Sequence, residues 1–432
     1  MKIYLDMVGC RLNQSELEAY ARYFEAAGHQ LTGDPSRADL AVVNTCSVTV
    51  AAAADSRKLI RRLNREGAGE VVVTGCWSTL EPDAARRLPG VVRLVDNLTK
   101  DQLVAEVLDG EDDSFQQEPV DRVVVPGARL RTRANIKAQD GCDHRCAYCV
   151  TTLARGKGRS IPVEDVLAGV RAAVRGGAQE VVLTGVQLGS WGQDLFGKPQ
   201  LSRLVEAVLS RTEVPRVRLS SIEPWDVSHR LIELLADDRV ARHLHLPLQS
   251  GSDPVLRRMG RPIRTPAYAD LVEEIRRVSS DAAVTTDLMT GFPGETEEDF
   301  LRTMEFVRRM KFADGHVFTF SARPNTPAAE MAEQVDHQVR KERSARLREV
   351  LAESSRAYRA RFLGERVQVL WESLIGSGQE GWKLSGISGN YLRVETVSDR
   401  DLRNTLTSVR LTALTDQGLV GEVEEQTGGA DD

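Results

Sequence analysis

Cys142, Cys146 and Cys149 fall within eight residues of one another in the stretch DGCDHRCAYCVTTLARGKGRS, and Arg155, Lys157 and Arg159 follow at once. The C-x3-C-x2-C spacing puts three thiolates on one tight loop, enough to hold three irons of a 4Fe-4S cube and leave the fourth open to a small ligand. Zinc is the competing occupant. A structural zinc wants four ligands, however, and His144 stands between Cys142 and Cys146, where joint coordination is awkward. The other three cysteines are scattered but share a context: Cys10 follows KIYLDMVG, Cys46 follows ADLAVVNT and Cys76 follows EVVVTG. Each therefore ends a run that reads as a parallel strand. Ligands of open α/β sheets bind at that edge, so three thiols gathered there read as a second site; the alternative is three buried structural cysteines.

Other segments offer polar groups at strand ends. In HLHLPLQSG the strand period puts His243, His245, Pro247 and Gln249 on one face and Leu244, Leu246 and Leu248 on the other. The leucines suit a helix-facing surface and the polar row a lumen, although two satisfied core histidines would show the same pattern. TGVQLG closes a second strand at Thr184 and Gly185, and RLSSIEP presents Ser220, Ser221 and Glu223, which either bond a ligand or cap a helix. GFPGE is first of all a turn before an acidic helix start. In SRKLIRRLNR the helical period aligns Arg57, Arg61 and Arg65, with Lys58 and Arg62 in a second row. That suits phosphate contact, or a solvated helix face. Residues 340–362, RKERSARLREVLAESSRAYRARF, form another basic helix.

The elements that must position these residues fall into three blocks. Over 1–108, strand-like and helical runs alternate, which implies a parallel sheet with crossover helices. Residues 109–128 are acidic and contain proline, as a linker would. Over 129–362 six further strands alternate with helices and suggest a partial βα barrel with functional loops at the C-terminal strand ends. Over 363–425 short strands and Gly-rich turns indicate a small antiparallel barrel, and 426–432 is an acidic tail expected to be disordered. The chain is 432 residues long with 41% apolar and 28% charged content and no run near the ~20 apolar residues that cross a bilayer. The start fits neither a signal nor a transit peptide, so a soluble cytoplasmic protein without a membrane partner is expected. Its six cysteines then read as metal or catalytic ligands rather than disulfides. A net charge of -6 gives no global sign of nucleic-acid binding and does not exclude a local basic patch.

Together these features resemble the radical S-adenosylmethionine (SAM) methylthiotransferase family over nearly the whole chain. The shared motifs are GCRLNQSE, NTCSVT, VVTGC, GCDHRCAYC, LTGVQLGSWG, RLSSIEP, HLHLPLQSGSDPVLRRMGR, GFPGETEEDF and FSARPNTPAAEM. The resemblance implies two 4Fe-4S clusters, one on Cys142, Cys146 and Cys149 whose open iron chelates SAM, and an auxiliary one on Cys10, Cys46 and Cys76. It implies SAM contacts from Thr184, Gly185, Ser220, Ser221, Glu223, His245 and Gln249, and tRNA contacts from Arg57, Arg61, Arg62, Arg155 and Arg159. The C-terminal barrel resembles the RNA-binding TRAM domain, in which Trp371, Trp382 and Tyr391 either stack on bases or form the core. GCRLNQSE with NTCSVT and SRKLIRR is most similar to the branch that adds a methylthio group to carbon 2 of N6-threonylcarbamoyladenosine, next to the tRNA anticodon. Branches acting on isopentenyladenosine in tRNA or on a ribosomal-protein aspartate are the alternatives; a non-catalytic iron–sulfur electron carrier and an RNA-binding scaffold are more remote. The implied partners are tRNA, an electron-donor protein and a sulfur source. A threonylcarbamoyl group ends in a carboxylate, so Arg57, Arg61 and Arg62 are the arginines expected to meet it. Two positions depart from the family pattern: Thr152 replaces proline, and Asn325 replaces glycine where positive φ is expected, which Asn tolerates.

Overall fold

The computed structural model describes residues 1–108, 132–378 and 381–424; the linker expected over 109–128 and the tail expected over 426–432 lie outside the described residues. The N-terminal block is a parallel sheet of β1 (Lys2–Met7), β2 (Gln30–Leu31), β3 (Leu40–Thr45), β4 (Glu70–Gly75) and β5 (Val91–Leu94), in the order β2-β1-β3-β4-β5. Strand β3, LAVVNT, is buried along its whole length and β4 nearly so. Valine-rich runs buried in this way suit central parallel strands covered on both faces. Helix α1 (Arg11–Ala26) packs Leu17, Tyr20, Ala21 and Phe24 on one face, and α2 (Val50–Arg65) packs Ala53, Leu59, Ile60 and Leu63 on the other. The short α3 (Cys76–Leu80) follows β4 directly. Met7 pairs with Asn44, and Asn44 and Thr45 with Thr74 and Gly75. That register ends β1, β3 and β4 together and brings the three following cysteines to one edge.

The central block is an open barrel. Its first strand is β6 (Arg133–Lys137), and a ribbon of β7 (Gln139–Asp140) and β8 (Arg159–Ser160) brackets the Cys142–Cys149 loop. Strands β9 (Glu180–Thr184), β10 (Arg216–Leu219), β11 (His243–His245), β12 (Ala283–Thr290) and β13 (Asp314–Thr319) complete it. They form two parallel sheets, β10-β9-β6 and β11-β12-β13, joined by bridges at Val217–Val240 and Ser221–His245. Leu244, Leu246 and Leu248 are fully buried in the apolar core, while His243 and His245 both bond Thr285 Oγ1 at 2.9 Å, so the expected two faces are present. The regular strand is shorter than the pattern suggests and ends at His245.

Strands β14 (Arg366–Gly378), β15 (Gly381–Ser388), β16 (Arg393–Ser398), β17 (Leu406–Leu414) and β18 (Leu419–Val423) close into a second barrel, in the order β14-β15-β16-β18-β17. An antiparallel barrel is expected from the sequence, and four of its seams are antiparallel, but β16 and β18 run parallel. An odd number of strands in a closed ring cannot alternate direction all the way round. This barrel docks on the N-terminal strand ends of the central one. Arg216 donates to Ile387 O at 3.2 Å, and Arg218 to Ser388 O at 2.9 Å, while Tyr391 stacks on His243 at 4.0 Å with the rings 6° from parallel. Of the aromatic residues considered for base stacking, Tyr391 is thus used in this joint and Trp371 is fully buried, bonded to Thr407. Trp382 is partly buried against the barrel core.

Candidate active site between two cysteine triads

Gly9 and Gly75 shape the N-terminal thiol edge. Gly9 has φ +132°, and a Cβ there would lie 2.9 Å from Cys46 Cβ and 3.1 Å from its Sγ; Gly75 has φ +100°, and a Cβ would lie 2.5 Å from Thr45 N. Only glycine lets the chain pass so close. Cys10 caps α1 and its thiol points at Asn13 Oδ1, 3.6 Å away; Cys46 is buried and its N–H donates to Ser56 Oγ at 3.0 Å. Burial, with Cys10 and Cys76 nearby, pushes the Cys46 thiol up to about 11.

In the second triad, Cys142 Sγ lies 3.1 Å from Gln187 Oε1, and Cys149 Sγ lies 3.0 Å from Thr151 Oγ1 and 3.4 Å from Thr151 N. Burial, reinforced by the two neighbouring thiols, pushes Cys142 up to about 12. His144 turns away and accepts from Trp225 Nε1 at 3.0 Å. Thiols held this high bind metal only by losing their protons, and three adjacent thiolates need a cationic centre between them. Among the described residues no three Cys, His, Asp or Glu side chains are gathered as ligands of one ion. An iron–sulfur cube asks for something else, because its cysteines sit on separate irons. Each donor set, three thiols with no fourth protein ligand among the described residues, fits such a cube with one open iron.

The residues expected to bind SAM all lie at the C-terminal ends of barrel strands. Thr184 is buried at the end of β9, and Gly185 comes so near Gln139 that a Cβ would be 3.0 Å from it. Ser220 is buried with its hydroxyl unpartnered, and Ser221 is exposed. Glu223 accepts from Arg261 at 2.7 Å, beside Cys146. His245 sits 3.3 Å from Asp287, and Gln249 takes φ +71°. Gln187, whose N–H donates to Gln139 Oε1 at 2.8 Å and whose side chain reaches both Cys142 and Asp226, escapes the sequence reading. It stands two residues past Gly185 in the same TGVQLG motif, so the signal was there.

The expected RNA-contacting arginines scatter. Arg155 is 2% exposed, with Nη1 on Glu16 at 3.0 Å and Asp140 at 2.9 Å, Nη2 on Asn13 at 2.8 Å and Nε on Cys76 Sγ at 3.2 Å. It is therefore an interior residue and not an RNA contact, because its helix, Thr151–Arg155, packs on α3 at the boundary between the first two blocks. Arg159 is partly exposed and bonds Arg155 O at 3.2 Å. Arg57 is half-buried over the Trp77 ring, Arg61 is exposed, and Arg62 is paired with Asp6 at 2.9 Å.

A cavity of about 520 Å³ has one cysteine of each triad in its wall. Its wall takes Ser47 to Ala51 and Cys76 from the N-terminal block, Cys149 and Thr151 from the second triad's loop, and Gln249, Phe318, Arg323 and Arg348 from the barrel. Arg323 ties the two sides together, donating to Ser47 O at 2.6 Å and Ser47 Oγ at 2.7 Å. Arg57, Arg61 and Arg62 do not line it. Helix α2 starts at the cavity and leads away, so Arg61 lies roughly 16 Å along the axis from Val50. A larger cavity, about 750 Å³, lies at the opposite end of the barrel, against the C-terminal one, and holds no cysteine.

An open parallel βα barrel with a three-cysteine loop after its first strand, facing a strand-end pocket, defines a radical SAM enzyme. The Radical SAM superfamily profile matches residues 136–307, and that of Uncharacterized protein family UPF0004 matches residues 2–96. The chain is 33% identical to Threonylcarbamoyladenosine tRNA methylthiotransferase MtaB of Bacillus subtilis, covering 94% of this chain and 92% of that protein. It is 36% identical to the protein of the same name from Thermotoga maritima, covering 97% and 96%. A tRNA-2-methylthio-N(6)-dimethylallyladenosine synthase of Thermoanaerobacter is 30% identical over 98% and 92%. The chain belongs to the radical SAM methylthiotransferase family. The fold likewise matches the radical SAM methyltransferase TsrM from Kitasatospora setae, with a TM-score of 0.60 at 15% identity over 76% of this chain and 75% of that one. The protein is an enzyme of radical SAM chemistry, and its radical SAM domain implies a 4Fe-4S cluster and SAM. Among the described residues no helix is long and apolar enough to cross a membrane.

Proposed function

We propose that this enzyme adds a methylthio group to carbon 2 of N6-threonylcarbamoyladenosine next to the tRNA anticodon. One observation carries the reading: a single nucleoside-sized cavity has Cys76 of one triad and Cys149 of the other in its wall. Cys142, Cys146 and Cys149 hold the SAM-binding cluster, and Cys10, Cys46 and Cys76 hold an auxiliary cluster on the sulfur-supplying side. When bound, SAM and its cluster supply one-electron chemistry for an aromatic C–H bond that no side-chain base deprotonates near neutral pH. Thr184, Gly185, Ser220, Ser221, Glu223, His245 and Gln249 form the SAM side, with the unpartnered Ser220 hydroxyl the group most in need of a ligand.

The cavity binds and orients the base. Phe318, 45% exposed, offers a ring for stacking. Arg348 is exposed, reaches Val317 O only at 3.4 Å and makes no ion pair among the described residues, so it is the cation free to take the threonyl carboxylate. Relatives named for threonylcarbamoyladenosine stand at 33% and 36% identity, which supports the same substrate. Arg57, Arg61, Arg62 and Arg159 are left for phosphates, and the 363–425 barrel for further tRNA contact. The domains are 1–108, 129–362 and 363–425, and the enzyme works in the cytoplasm with tRNA, an electron-donor protein and a sulfur source. Anaerobically reconstituted protein, given anticodon stem-loops bearing either modification, is expected to methylthiolate the threonylcarbamoyl one. Product on the isopentenyl substrate alone would overturn the assignment.

A further inference from the structure

We infer that Arg155 is a positioning residue for the auxiliary cysteine site, holding Cys76 by an N–H···S bond and setting the Cys10 and Cys46 loops through Asn13. The inference rests on the reading that Cys10, Cys46 and Cys76 hold a cluster. Arg155 ends the helix that follows Cys149, yet every side-chain bond it makes beyond Asp140 reaches the N-terminal block. Nε meets Cys76 Sγ at 3.2 Å, and Nη2 meets Asn13 Oδ1 at 2.8 Å. That second bond fixes which way the Asn13 amide points. Its Nδ2 then donates to Val8 O at 2.9 Å and Thr45 O at 3.2 Å, the carbonyls two residues before Cys10 and one before Cys46. A single guanidinium thus governs all three thiol-bearing loops, and Nη1 on Asp140 ties them to the start of the other triad's loop.

Charge counting gives the same answer independently. The buried carboxylates Glu16 and Asp140 already have Lys100 at 2.6 and 3.0 Å, and Lys137 lies 3.1 Å from Asp140. Asp101, which also meets Lys137, is 64% exposed. Arg155 shares these two carboxylates with the two lysines, at 3.0 and 2.9 Å, so three cations surround two buried anions, and a guanidinium keeps its proton. The Cys76 sulfur that Arg155 also faces can supply the remaining negative charge. An N–H bond to a cluster sulfur stabilises the more reduced, more negative state and raises the reduction potential.

Arg155→Gln leaves Glu16 and Asp140 still paired with lysines, so the fold should persist. In reconstituted full-length protein, with SAM marking the other cluster's electron paramagnetic resonance signal, the auxiliary midpoint potential is expected to move negative. A chelator should strip auxiliary iron roughly 10-fold to 100-fold faster. Arg155→Lys, which keeps the charge without the fork, should restore part of the potential and little of the retention. If Arg155→Gln does not fold, Asn13→Ala, which alters no charge, should still speed iron loss from the auxiliary site alone. About eight irons with unchanged potential and unchanged release in Arg155→Gln, or equal iron loss from both sites, would overturn Arg155's role only. About four irons in the unaltered protein would remove the auxiliary cluster itself, and the inference with it.

Discussion

Arg348 faces a choice that the cysteines do not make, because the threonylcarbamoyl and isopentenyl substrates need the same radical chemistry and, of those two, only the first ends in a carboxylate. A charge-assisted bond contributes about 1.5–3 kcal/mol, so Arg348→Ala should lower kcat/KM on the threonylcarbamoyl stem-loop roughly 10-fold to 100-fold. SAM cleavage without substrate should not change. An equal loss on every RNA would instead mark Arg348 as a phosphate contact. The sequence directs attention to Arg57, Arg61 and Arg62, because a charge run on a helix is visible and a lone arginine in a basic helix is not. Much of that helix's charge is already committed: Arg343 pairs with Glu295 at 2.8 Å and Arg346 with Glu297 at 2.9 Å. Single residues with local demands were legible. Asn325 takes φ +63°, the turn expected where the family has glycine, and GFPGE is followed by a helix whose first turn holds Glu297, Glu298 and Asp299, the acidic start expected.

At the scale of elements, the strand endings that align Cys10, Cys46 and Cys76 could be read from the strand-like runs KIYLDM, LAVVNT and EVVVTG that precede them. What packs against those endings could not. Arg155 and Glu16 are 139 residues apart in sequence, and no periodicity links them. The joint they make has a pH signature. Burial would raise Glu16, but Arg155, Lys100 and Lys137 outweigh it and hold the carboxyl at about 2; Asp140 is likewise held well below the usual carboxylate range, burial again being outweighed by Arg155, Lys137 and Lys100. Folded values below unfolded ones stabilise the protein above the ordinary carboxylate range of about 4, and that stability fades as pH falls through it. Thermal unfolding of the apo protein should therefore show a steep loss of stability below about pH 4. Glu16→Gln should flatten that drop, and an unchanged acid limb would show that the joint does not govern it.

The whole molecule sets one reaction between two blocks, and its cysteines should be separable by function. Replacing Cys142, Cys146 and Cys149 with alanine should leave about four irons and abolish SAM cleavage; replacing Cys10, Cys46 and Cys76 should leave about four irons, keep 5'-deoxyadenosine formation and stop methylthiolation. Sulfur insertion undiminished in the second variant would remove the auxiliary site from the account. The succession of a parallel-sheet block, a βα barrel and a small closed β-barrel was legible, because strand and helix runs alternate in the first two and short strands with Gly-rich turns mark the third. The docking of the C-terminal barrel was not, since Tyr391 and Trp371 read alike as exposed or core aromatics. The central claim, that this chain methylthiolates threonylcarbamoyladenosine, is tested most directly by mass spectrometry of tRNA nucleosides from cells with and without its gene. Loss of the 2-methylthio derivative of N6-threonylcarbamoyladenosine, with the unmethylthiolated nucleoside accumulating, is the expected result; an unchanged amount of it, or loss of the isopentenyl derivative in its place, would contradict the account.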